Sequence, residues 1–202
     1  MKVGIMGGTF NPIHKGHLML ATLAIEQCSL DNIWFMPSGL PAHKSNEELL
    51  DAKHRMEMVK LAVEENEFFI ASAFEIEREG FTYTSDTMVA LKKSYPDLEF
   101  YFIIGGDSLM KFHQWVRPDV ISAHTTLLAA GRSGYSKKEL EQQATYLKQQ
   151  FGTKIVFLDM PEFPVASSEI RRWLKEGQCE KAKEVLPKKV VDYIEQNRLY
   201  QK

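Results

Sequence analysis

Six short apolar, β-prone runs, at residues 2–6, 33–36, 69–73, 99–104, 125–130 and 154–158, alternate with stretches of helical periodicity over most of the chain. Parallel strands need a crossover, and the crossover helix covers a sheet face, so this order predicts a parallel, doubly wound, Rossmann-like α/β sheet. Several helices are marked by their own residues. Asp51 is placed to cap one whose apolar stripe is Ala52, Met56, Val59 and Val63. A second should begin near Thr84-Ser85, with Met88, Leu91 and Tyr95 facing inward. A third, from about Ser136 to Gln150, is polar enough to lie on the surface. Beyond Pro164 the strand pattern gives out. Short helices are expected from Ser168 to Lys175 and at about 180–186 and 188–196, broken by Gly177 and Pro187. The expected organisation is an α/β domain over 1–164 with a small helical subdomain over 165–202 packed on it. A chain of 202 residues, 44 % of them hydrophobic, has enough apolar material for a full core.

In open sheets of this class the ligand lies outside the carboxyl ends of the strands, so the loops after the first, second, fourth and sixth runs should converge on one cleft. The first of these loops carries the sharpest chemical signal, Gly7-Gly8-Thr9-Phe10-Asn11-Pro12-Ile13-His14-Lys15-Gly16-His17. Gly7 and Gly8 let backbone approach a ligand, Pro12 stiffens the turn, and Gly16 removes a side chain where a helix opens. His14 and His17 are three apart, so both imidazoles can share one side of an opening helical turn. Unpaired N–H groups and the positive end of the dipole lie there too, which suits an anion. Neither Gly-x-Gly-x-x-Gly nor Gly-Lys-Ser/Thr follows the first run, so dehydrogenase and P-loop readings are disfavoured.

Other loops add candidates, each with a plain structural alternative. Pro37-Ser38-Gly39-Leu40-Pro41-Ala42-His43-Lys44 is a defined turn ending in a lysine, and Arg55 either serves the site or pairs with Glu57 or a neighbouring carboxylate. Phe81 to Thr87 offers hydroxyls and N–H groups at a helix start, for capping or for a small carboxylate. Gly105-Gly106-Asp107 suits ribose hydroxyls or a helix cap. Trp115 either stacks on a flat ring or belongs to the core, and Arg132 is placed to meet an acceptor phosphate. In Val165 to Arg171, Ser167 or Ser168 is a good N-cap. Arg171 and Arg172 in the first turn would oppose the helix dipole unless a polyanion binds there.

His14-Lys15-Gly16-His17 resembles the (His/Thr)-x-Gly-His signature of a nucleotidyltransferase superfamily, and within it the chain is most similar to the bacterial nicotinate-nucleotide adenylyltransferases. The resemblance spans nearly the whole chain. Pro-x-x-x-Pro-x-His-Lys matches at 37–44, Tyr-Thr-x-Asp-Thr at 83–87 and Gly-x-Asp at 105–107. Ser167, Ser168, Ile170 and Arg171 fall on the second Ser, the Thr, the Ile and the Arg of Ile-Ser-Ser-Thr-x-Ile-Arg. Ala166 departs from it by replacing the first Ser. The resemblance implies adenylyl transfer from ATP to nicotinate mononucleotide. His14, His17, Lys44 and Arg171 would be catalytic, with His17 nearest the reacting centre and Lys44 and Arg171 drawing charge onto pyrophosphate. Gly7, Gly8, Thr9, Phe10, Gly105, Asp107, Ser167 and Ser168 would bind ATP. Tyr83, Thr84, Ser85, Trp115 and Arg132 would bind the acceptor, and Mg²⁺ would be held mainly by ATP phosphates. The alternatives are an amide-preferring, phosphopantetheine or cytidylyl relative, or a sensor that binds ATP without turning it over.

A net charge of −2 gives no general attraction to nucleic acid. Cys28 and Cys179 lack metal-type spacing and suit a reducing cytoplasm, and no apolar run of spanning length or signal peptide is present, so no membrane association is expected. Self-association is left open by the sequence.

Overall fold

The computed structural model describes residues 1–41, 49–78, 80–131, 134–161, 163 and 165–201. Six parallel strands form the main sheet: β1 (Lys2–Gly8), β2 (Asn32–Pro37), β4 (Phe69–Ala71), β6 (Glu99–Gly105), β7 (Thr126–Ala130) and β8 (Lys154–Leu158), in the order β4-β2-β1-β6-β7-β8. These are the six runs read from sequence, with ends moved by one or two residues. Two further strands, β3 (Leu40–Pro41) and β5 (Phe81–Thr82), pair in parallel as a separate ribbon. Two residues carry no periodicity, so neither was foreseen. Helices α1 (Lys15–Cys28), α2 (Ala52–Val63), α3 (Thr84–Ser94), α4 (Gly106–Lys111), α5 (Pro118–His124) and α6 (Lys137–Phe151) fill the crossovers, and α7 (Ser167–Lys175), α8 (Cys179–Val185) and α9 (Lys188–Gln196) follow β8.

The pleat sorts the core into two layers. Ile5 and Met6 are consecutive in β1, and Phe102 and Ile103 in β6, yet each pair splits between opposite faces because successive side chains alternate across a strand. One layer packs Val3, Ile5, Phe102 and Ile104 with Met88 and Leu91 of α3. The other packs Met6, Phe35 and Ile103 with α1 and α2, and also takes in Ile170, Ala182, Val190 and Ile194, so the three last helices share a core with the sheet. Among the described residues no helix is long and apolar enough to cross a membrane.

Local rules account for the helix starts. Asp51 Oδ1 accepts from the Lys53 N–H at 2.8 Å, the cap expected of it, and Ser136 with Glu139 forms a capping box on α6. Tyr95 departs from expectation. At 41 % exposure it caps the end of α3 from outside, its ring edge-on to Trp34. The serines of α7 also differ, since Ala166 is the N-cap and Ser167 is the first helical residue. Its hydroxyl leaves the helix to donate to the Pro12 carbonyl at 2.9 Å. Arg171 is therefore the fifth residue of a nine-residue helix and Arg172 lies in its last turn, where a cation favours the dipole; the expected dipole conflict does not arise.

Candidate active site

Strand order reverses between β1 and β6, and a cavity of about 460 Å³ opens at their carboxyl ends. Gly7, Gly8 and Thr9 form one wall, Phe102 to Gly105 another, and His17 faces in from α1. The far side is made by Glu75, Thr82, Tyr83, Thr84 and Trp115. Loops after the first, second and fourth major runs thus converge on one hollow, with Ser38 from the second, whereas no described residue of the loop after the sixth lines it. Trp115 meets both of its readings: half-buried against Phe102 and Phe112, it also lines the cavity.

The two histidines are not equivalent. His14 is the N-cap of α1 and is 7 % exposed, stacked on Phe163 with ring centroids 5.4 Å apart, while His17 lines the cavity. Their own centroids are 3.8 Å apart. Gly16 makes room for the Phe163 ring that stacks on His14, because a Cβ there would meet Phe163 Cδ1 at 2.5 Å. The His14 N–H donates to His17 Nδ1 at 3.2 Å, so a neutral His17 carries its proton on Nε2 and is a donor there. Burial pushes His14 down to about 4, and burial followed by the neighbouring His14 holds His17 well below the ordinary imidazole range. Both rings are neutral near pH 7.

Those depressed values make stability depend on pH. The unfolded chain takes up imidazole protons near 6.5 while the native chain resists until about 4, so the unfolded state binds more protons between these limits. The associated stability is present above pH 6.5 and is lost as pH falls toward 4. At pH 5 the loss from His14 is about 2 kcal/mol relative to neutral pH. Urea midpoints measured at pH 7 and pH 5 should fall in that sense for the unaltered protein and less for His14→Gln. An equal fall in both would assign the dependence elsewhere.

The loop between β1 and α1 is held from behind by its carbonyls. Arg55 Nη1 donates to the Thr9 carbonyl at 2.9 Å, Arg171 Nη1 to the Asn11 carbonyl at 2.9 Å, and Ser167 Oγ to the Pro12 carbonyl. A polyanion is repelled by carbonyl oxygens, so tying these three to donors turns unfavourable dipoles away from a phosphate site. Phe10 sits in the left-handed region at φ 46° with its ring in the core, so any contact it makes with ATP is through main chain. Arg55 does not pair with Glu57. It is 1 % exposed and spends its guanidinium on the carbonyls of Leu50, Thr9 and Gly39.

Other assignments fare unequally. Gly105 and Ser108 line the cavity, whereas Asp107 is exposed in the first turn of α4, outside the lining. Ser168 is exposed, one residue beyond the serine that grips the loop. Tyr83 and Thr84 open α3 on the cavity, but Ser85 is fully buried behind them and does not face it, because it points to the core side of that first turn. Arg172 is exposed and pairs with Glu169 at 3.1 Å. Lys44 and Arg132 lie outside the described residues.

Sequence reasoning missed the Glu75 carboxyl. Burial raises its pKa, against hydrogen bonding from Thr87 and the charge of Arg78. Thr87 Oγ1 donates to Glu75 Oε1 at 2.7 Å, which fixes this wall of the cavity to α3. Gly39 lets the loop after β2 pass this wall, since a Cβ would stand 2.8 Å from the Glu75 carbonyl oxygen. Ser38 and Thr82, also in the lining, have buried hydroxyls with no partner among the described residues.

The chain is similar to known proteins over most of its length. The cytidylyltransferase-like family profile matches residues 5–173. A probable nicotinate-nucleotide adenylyltransferase of Lachnoclostridium phytofermentans is 44 % identical over 199 residues, covering 98 % of both chains. The nicotinate-nucleotide adenylyltransferase of Bacillus subtilis is 38 % identical over 200 residues, covering 99 % of this chain and 98 % of its own. Among solved structures, the Plasmodium falciparum nicotinic acid mononucleotide adenylyltransferase complexed with NaAD superposes with a TM-score of 0.82 at 21 % identity, covering 98 % and 97 % of the two chains. At that identity the likeness concerns the fold.

Proposed function

Since this chain belongs to the cytidylyltransferase-like family and, within it, to the nicotinate-nucleotide adenylyltransferases, we infer that it transfers the adenylyl group of ATP to nicotinate mononucleotide. The acceptor's 5′-phosphate oxygen attacks the α-phosphorus, the bond from that phosphorus to the bridging oxygen breaks, and pyrophosphate leaves with nicotinate adenine dinucleotide as the other product, a step of NAD biosynthesis. The observation that carries this reading is the single cavity joining His17 and the Gly7-Gly8-Thr9 wall to Tyr83, Thr84 and Trp115. One end is suited to phosphates and the other to a flat ring bearing a small anion.

Transfers of this type depend on positioning and on donors aimed at the charge that shifts to the leaving group. His17, protonated on Nε2, would donate to a phosphate oxygen at the reacting centre, and His14 would brace it. Arg171, already bonded to the loop, and Lys44 would draw charge onto pyrophosphate. The N–H groups of the first turn of α3 would take the nicotinate carboxylate, with Trp115 against the ring. Mg²⁺ would travel on the triphosphate oxygens and neutralise them. It is a hard cation that prefers oxygen, the paired imidazoles offer nitrogen, and no group of three His, Cys, Asp or Glu side chains comes together among the described residues. Two unbridged cysteines fit a cytoplasmic setting.

The deciding assay supplies magnesium and ATP with nicotinate mononucleotide, nicotinamide mononucleotide or phosphopantetheine, and follows pyrophosphate and the dinucleotide. The acid should be preferred over the amide by roughly 10-fold or more in kcat/KM, the worth of one well-placed charge-assisted hydrogen bond. Preference for the amide or for phosphopantetheine would overturn the acceptor assignment. Absence of pyrophosphate with every acceptor would leave a nucleotide-binding protein without turnover.

A further inference from the structure

A group 189 residues beyond Asn11 reaches the same loop: the Tyr200 hydroxyl donates to Asn11 Oδ1 at 2.8 Å. The chain bends sharply to bring it there. Arg198 and Tyr200 both adopt left-handed backbone, at φ 50° and 62°, which residues with a Cβ hold only where packing keeps them. The packing is visible in Leu199 between them, which is anchored in the core layer shared with α1 and α2. Tyr200 itself is partly buried. Burial drives its phenol upward against the pull of Arg171 and Arg55, so the proton stays on oxygen and the bond to Asn11 has a fixed direction.

Asn11 is where distant segments meet. Its side-chain oxygen also takes the Leu50 N–H at 3.4 Å, and its main-chain carbonyl takes Arg171. It stands three residues before His14, in the stretch whose neighbouring carbonyls are held by Arg55 and Ser167. We propose that Tyr200 is a positioning residue for adenylyl transfer: by pinning Asn11 it sets the peptide that orients Arg171 and the turn that delivers His14 and His17, without touching substrate. The proposal takes its substrate from the function inferred above, while the loop contacts stand apart from that reading.

Tyr200→Phe keeps the ring and removes the donor. The comparison is Thr153→Val, which deletes a buried hydroxyl bonded to Ser122 Oγ at 2.7 Å, away from the cavity. Steady-state kinetics and calorimetric titration with a non-hydrolysable ATP analogue should show kcat down about 10-fold and analogue affinity down several-fold in Tyr200→Phe, the scale of one buried hydrogen bond. The KM for nicotinate mononucleotide should stay within about 2-fold, because Asn11 is not among the residues lining the cavity where Thr84 and Trp115 would take its ring. Thr153→Val should lower the thermal midpoint comparably and keep kcat. The proposal is overturned if Tyr200→Phe keeps both kcat and analogue affinity, or if the two variants lose activity in proportion to their midpoints. If the unaltered protein fails to use nicotinate mononucleotide while Tyr200→Phe still weakens the analogue, the acceptor assignment fails and the positioning role stands.

Discussion

His17→Ala is expected to lower kcat by roughly 100- to 1,000-fold while the protein keeps its fold, the range seen when one preorganised donor to a developing charge is removed. His17 lines the cavity, and its Nδ1 is occupied by the His14 N–H, so the ring supplies one donor of fixed tautomer at Nε2. Alanine deletes that donor and leaves the Gly7-Gly8-Thr9 wall in place. The effect should fall mainly on kcat, since under the proposed function the ring would act on charge that appears as pyrophosphate departs, and less on the KM for ATP. Turnover measured beside a melting curve decides it: near-normal kcat in a folded variant would remove His17 from the reacting centre.

The second large effect concerns stability. Arg55→Met keeps much of the volume of a side chain that is 1 % exposed, but it strips donors from the carbonyls of Leu50, Thr9 and Gly39 at 3.0, 2.9 and 3.0 Å. Each buried carbonyl left without a partner costs about 1–3 kcal/mol, partly offset because a desolvated cation is no longer buried. A net loss of about 3 kcal/mol is expected, a fall in thermal midpoint of roughly 6–12 °C for a chain of this size. Arg55→Lys should recover only part of it, because an ammonium lacks the planar fork that spans three oxygens. A midpoint within about 2 °C of the unaltered protein in Arg55→Met would show that the fork holds nothing together. Activity should fall too, as Thr9 and Gly39 belong to two different loops that this guanidinium ties together, beside the bond from the Ser38 N–H to the Gly8 carbonyl at 2.8 Å.

The sheet was legible because its information is local. β-prone runs of four to six residues, bounded by Gly and Pro and separated by helical stripes, recur along the chain, and a parallel order with a cleft at the carboxyl ends follows from that pattern alone. His17 could be placed for the same reason, at the start of a readable helix, whereas Thr84 and Trp115 are singled out by the family resemblance, their local readings leaving a helix cap and the core open. What escaped is long-range. Nothing in the spacing around Arg55 says that it will reach three main-chain oxygens, and Tyr200 has no local pattern linking it to Asn11. Arg171 and Arg172 show a different failure. Their reading hung on where a short helix begins, and with Ala166 as cap Arg172 falls in the last turn and answers Glu169 by ordinary i,i+3 pairing. The expected serine cap had a better competitor in the Pro12 carbonyl.

Two uncharged rings stand at the cleft, His17 in its lining and His14 buried against it, and under the proposed function the labour of recognition would divide by range. A neutral imidazole exerts no long-distance pull on a polyanion and acts only at contact, where orientation decides whether it bonds. Under the proposed function, capture from solution would fall to permanent cations such as Arg171, and discrimination between a ground state and a departing pyrophosphate would fall to His17.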